Sequence, residues 1–145
     1  MNSADDSARV TRALVIDDDL IQRRLIAKTA VQAGHETTEA CSVTEAEARF
    51  SQARLDRRPF DCVTVDLGLT DGLGADLLHM IVETCPGAKV LIVTGASQQL
   101  IEDTRKIAQD IGIEIAQVFI KPIDLPGLRE TLRQMRRTAA ESSAA

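Results

Sequence analysis

The chain has no tryptophan, no tyrosine and only three phenylalanines among its 145 residues. That excludes an aromatic platform on which single-stranded bases could stack. Positive charge is also short: the formal net charge is -5, whereas a nucleic-acid surface needs clustered Lys and Arg facing the phosphates. The three cysteines, Cys41, Cys62 and Cys85, are odd in number and show no CxxC spacing. They fit neither a disulfide framework nor a zinc site and suit a reducing compartment. No apolar run approaches the ~20 residues of a membrane span, and the opening "MNSADDSARVTR" lacks the apolar segment of a signal peptide. The expectation is a cytoplasmic protein with neither nucleic acid nor membrane as partner.

What is present is a hydrophobic content of 44%, enough for the core of one ordinary domain. Short apolar runs recur at "ALVI", "CVTV", "KVLIV" and "AQVFI", with a weaker one at "HETTEAC". Helical patterns lie between them, at about 20–33, 43–54, 75–84, 98–110 and 125–137. Five alternations of strand and helix predict βαβ units, hence an α/β fold with a parallel sheet covered on both faces. The continuously apolar runs 13–16 and 90–93 read as strands buried on both sides. The first eleven residues read as a flexible arm, 12–137 as the domain, and 138–145, "TAAESSAA", as a disordered tail.

In open sheets of this kind, functional groups gather beyond the carboxyl ends of the strands. The first strand runs into Asp17, Asp18 and Asp19, the third into Asp66, the fourth into Thr94 and the fifth into Lys121. Neighbouring carboxylates repel, and burial raises their pKa values, so a hard divalent cation is one remedy. A helix cap is the other reading of the triplet, since Asp is a favoured N-cap residue. Singly, Thr94 could end a strand, Lys121 could be a surface amine and Asp66 a turn residue. Their joint placement at one sheet edge is what those readings leave unexplained. His35 and His79 are read as structural, and Arg129, Arg133, Arg136 and Arg137 as a solvated helix face.

These residues, in this order and at these strand ends, resemble the receiver domain of bacterial two-component response regulators, over about residues 12–137. The resemblance implies a flavodoxin-like doubly wound sheet of five parallel strands in the order 2-1-3-4-5, with five helices. It implies Asp66 as phosphoacceptor and Asp17, Asp18, Asp66 and the Gly68 carbonyl as ligands of Mg2+. Thr94 and Lys121 complete the implied site, and Asp19 falls at the helix start. A sensor histidine kinase or phosphotransfer protein is the implied donor. Because few residues follow the last helix, output by protein contact is expected, through the helix 98–110, the last strand and the final helix; a homodimer is left open. The alternatives are a small Mg2+-dependent phosphatase or phosphotransferase, and a phosphorylation-independent adaptor.

This chain departs from the family pattern at two places. Thr70 stands where a proline is usual, and Val118 stands where an aromatic ring usually reports the state of the site. Phe119 follows it and, by strand alternation, is expected on the opposite face. Lys121-Pro122 matches a junction that is commonly cis.

Overall fold

The computed structural model describes residues 9–144. β1 (Arg12–Ile16) leads into α1 (Leu20–Gln32), then β2 (Glu36–Ala40), α2 (Val43–Asp56) and β3 (Cys62–Val65). A small hairpin follows, β4 (Gly68–Leu69) and β5 (Gly72–Leu73), then a 3-10 turn (Gly74–Leu77) and α3 (Leu78–Thr84). β6 (Lys89–Thr94), α4 (Gln98–Ile111), β7 (Ile115–Ile120) and α5 (Leu125–Ala144) complete the chain. The main sheet is parallel, in the order β2-β1-β3-β6-β7. Counting its strands alone, this is the expected order 2-1-3-4-5.

Strand alternation divides the core in two. Leu14, Ile16, Val63, Val65, Val90 and Ile92 face Phe50, Leu78, Ile81 and Ile101 of α2, α3 and α4. Ala13, Val15, Cys62, Leu91, Val93 and Phe119 face Ile26 and Ala30 of α1 and Leu128, Leu132 and Met135 of α5. Val118 packs on the first side and Phe119 on the second, as the alternation required. Two of the cysteines are buried and Cys41 is exposed; none is bonded to another. Burial pushes the Cys62 thiol up to about 12. Among the described residues, no helix is long and apolar enough to cross a membrane.

The ends of the chain differ from the sequence reading. Residues 1–8 of the expected arm lie outside the described residues, but the arm stops short of residue 11. Arg9 pairs with Asp61 at 2.7 Å, and Thr11 is buried. Asp61 is the reason, because its second oxygen also accepts the Arg12 N–H at 2.8 Å. At the other end, α5 continues past Arg137 to Ala144. The stretch from Thr138 holds no glycine or proline to stop it, and its alanines are strong helix formers. The helix at 75–84 also begins differently, as a 3-10 turn rather than α-helix.

Candidate functional site

Asp17, the first residue beyond β1, is fully buried, and its N–H donates to the Ala40 carbonyl at 3.1 Å. Its Oδ1 accepts the Asp19 N–H at 2.9 Å, while Oδ2 accepts Lys121 Nζ at 2.9 Å. Asp19 is the N-cap of α1 and accepts the Gln22 N–H. The triplet thus resolves into two roles, with Asp17 and half-buried Asp18 facing the site and Asp19 starting the helix.

Asp66 follows β3 at the centre of the sheet and is held on both oxygens. Oδ1 accepts the Thr94 hydroxyl at 2.9 Å and the Gly68 N–H at 3.2 Å. Oδ2 accepts Lys121 Nζ at 3.0 Å. Lys121 therefore bridges two carboxylates that come from different strands. Its own N–H is fixed to the Thr94 carbonyl at 3.0 Å, and the following peptide bond to Pro122 is cis, as expected. Gly74 closes the loop beneath: a Cβ there would collide with the Asp66 carbonyl oxygen and stand 2.7 Å from Val65 Cγ1. Only glycine allows this close approach.

Burial is the main influence on Asp17 and raises its pKa, although the Lys121 ammonium and the Asp19 N–H oppose it. Burial by itself would lower Lys121. The hydrogen bonds and charges of Asp17 and Asp66 together outweigh that, and the ammonium is held above its ordinary range. Lys121 stays charged because two carboxylates share it, and Asp17 is strained toward protonation because one shared ammonium does not offset its burial.

One carboxylate oxygen each from Asp17, Asp18 and Asp66 lies within 4.8 Å of the others. An all-oxygen donor set with excess negative charge fits a hard divalent cation such as Mg2+, and not zinc, whose structural sites favour Cys and His. Chemically, the arrangement sets an ammonium and a hydroxyl against the Asp66 carboxylate within a cluster of three carboxylates.

The response regulator receiver domain profile matches residues 13–133. The chain belongs to the response regulator receiver domain family. Receivers are signalling proteins of two-component systems rather than classical enzymes. This receiver is 31% identical over 137 residues to response regulator protein PilR of Pseudomonas aeruginosa, a match covering 91% of this chain and 28% of PilR. It is 25% identical over 127 residues to chemotaxis protein CheY of Thermotoga maritima, covering 86% of this chain and 96% of CheY. Among solved structures, a CheY-like receiver domain protein from Methanospirillum hungatei superposes with a TM-score of 0.73 at 22% identity, covering 92% of this chain and 98% of that one. That likeness shows a shared fold.

Of the residues singled out in the sequence, Asp17, Asp18, Asp66, Thr94 and Lys121 come together, with Gly68 beside them. His35 lies elsewhere, buried, with Nε2 2.8 Å from the Leu132 carbonyl, and His79 is exposed on α3. Two contributors escaped the sequence reading. Arg23 reaches the Asp17 carbonyl at 3.1 Å and Glu39 at 2.9 Å, pinning the loop that holds the acidic pair. Asp71 anchors the loop beyond Asp66 to α2. In the sequence each is one more charged residue in a polar stretch, and only the fold gives it a partner.

Proposed function

We propose that this receiver is a phosphorylation switch whose acceptor is Asp66. The observation that carries the proposal is the double tether of that carboxylate, Thr94 and Gly68 on one oxygen and Lys121 on the other. An Asp66 oxygen attacks phosphorus, an O–P bond forms, and the bond from phosphorus to the donor breaks; the product is an acyl phosphate. Lys121 offsets charge on the transferring group, and the Thr94 hydroxyl then donates to a phosphoryl oxygen rather than to Asp66. Asp17, Asp18, Asp66 and the Gly68 carbonyl would hold Mg2+, which supplies charge neutralisation when bound.

Family membership implies a kinase partner. We assign the donor to a sensor histidine kinase or phosphotransfer protein and the output to contact with a downstream protein through α4, β7 and α5. Such a switch would act in the cytoplasm. The test is intact mass after exposure to acetyl phosphate with Mg2+. The wild type gains about 80 Da, and Asp66→Asn does not, because an amide cannot form the acyl phosphate. Persistence of the full adduct in Asp66→Asn would place the acceptor elsewhere.

A further inference from the structure

Asp71 is exposed at the tip of the β4–β5 hairpin, yet its carboxylate is fully engaged. Oδ1 accepts the Val43 N–H at 2.8 Å, and Oδ2 accepts both the Thr44 N–H and the Thr44 hydroxyl at 3.0 Å. Val43 and Thr44 open α2, where the first four N–H groups lack partners within the helix. The Ser42 side chain satisfies the Glu45 N–H at 3.0 Å, and its carbonyl accepts the Ala46 N–H. Two of the four donors are thus served by a residue some distance along the chain, on the loop that follows Asp66.

The hairpin and the helix also approach closely. A Cβ at Gly72 would stand 3.3 Å from Val43 Cγ2. The hydrogen bonds from Thr44 and Val43 hold the Asp71 carboxyl below the usual carboxylate range. At the other end of the hairpin, the Gly68 N–H donates to Asp66 Oδ1 and the Gly74 N–H to the Leu67 carbonyl at 3.1 Å. Hydrogen bonds therefore fix both ends of the short hairpin, its tip to the start of α2 and its base to the Asp66 carboxylate and the Leu67 carbonyl.

We propose that Asp71 is a positioning residue of the phosphorylation site: by tying the hairpin to the start of α2, it fixes where Gly68 presents its N–H to Asp66 and its carbonyl to the divalent ion. The inference rests on the function proposed above. A carboxylate that merely capped α2 would stabilise the helix without setting the geometry of Gly68. The two roles separate by comparison with Ser42, whose hydroxyl caps the same helix start by accepting the Glu45 N–H.

The experiment compares Asp71→Ala with Ser42→Ala, each checked for folding by its thermal midpoint. Amide hydrogen exchange of residues 67–74 is followed without metal, and the Mg2+ dissociation constant is measured by calorimetry. In Asp71→Ala, exchange over 67–74 quickens and the dissociation constant rises by about fivefold or more. Ser42→Ala leaves exchange over 67–74 and the Mg2+ affinity as in wild type. Equal effects of the two variants, or unchanged exchange and affinity in folded Asp71→Ala, overturn the proposal. Should Asp71→Ala not fold, Thr44→Val, which removes one of the three contacts, must show the same shifts at smaller amplitude, and their absence there overturns it equally. Failure of the wild type to gain phosphate would instead count against the proposed function, and the exchange comparison would still stand.

Discussion

The hydroxyl of Thr94 donates to Asp66 Oδ1 at 2.9 Å while also accepting the Ala96 N–H at 3.1 Å and the Leu67 N–H at 3.4 Å. One rotor therefore ties Asp66 to the backbone at Leu67 and Ala96. If Thr94 turns toward a phosphoryl oxygen, those backbone bonds must change with it. Val118, at the place of the usual reporting ring, is β-branched and has one strongly preferred rotamer, so it offers no comparable swing.

Amide hydrogen exchange with and without beryllofluoride, a phosphate mimic, should therefore change most at residues 94–100, in wild type and in Val118→Ala alike. Gly95 and the Ser97 cap of α4 lie within that stretch and are where the change is expected to centre. A response that vanishes in Val118→Ala while Asp66 still phosphorylates would make the Val118 side chain the coupling element.

Phosphorylation should require a divalent cation. Three carboxylates face one ammonium in the site, and an incoming phosphoryl group adds further negative charge. Excess chelator is expected to slow the mass gain by about a hundredfold or more. An undiminished rate would mean that Lys121 alone offsets the charge.

The acyl phosphate should be long-lived. Gly68 and Ala96 stand two residues beyond Asp66 and Thr94, and neither side chain can orient an attacking water. A variant with Gly68→Asn and Ala96→Glu is expected to lose phosphate faster, by about threefold or more. Equal decay of the two proteins would show that water positioning here does not depend on those sites.

Stability should fall in mild acid through His35. Burial is the main cause of its lowered pKa, and with Nε2 donating to the Leu132 carbonyl, Nδ1 is buried without a partner. The unfolded chain protonates near about pH 6.5, where the folded one resists, so the unfolded state binds more protons. The histidine's contribution is complete above that pH and is lost as pH falls toward the depressed folded value. Urea unfolding at pH 7.5 and 5.5 should show a smaller loss on acidification in His35→Leu than in wild type.

The acidic pair, Asp66, Thr94 and Lys121 were legible because each ends an apolar run, and a parallel sheet brings all such ends to one edge. Asp71 and Arg23 were not, since their partners are set by packing between segments distant in sequence. The β4–β5 hairpin was equally hidden: strands of two residues are too short to carry a period. Thr70, which stands where a proline is usual, sits beside Asp71, whose bonds to Val43 and Thr44 restrain the loop. The extent of α5 was missed because composition suggested disorder where nothing in the chain stops a helix.

β2 bears on how the sheet is protected at its edge. It is an outer strand of the main sheet, and its sequence, ETTEA, carries Glu36 and Glu39, which pair with Arg12, Arg58, Arg23 and Arg24. A border so charged resists the addition of a foreign strand, which protects a sheet against edge-to-edge aggregation. The opposite border, β7, exposes Ala116, Gln117 and Ile120 instead. The two borders of the sheet therefore differ: charge guards β2 against strand addition, and β7 has no such guard among these exposed residues.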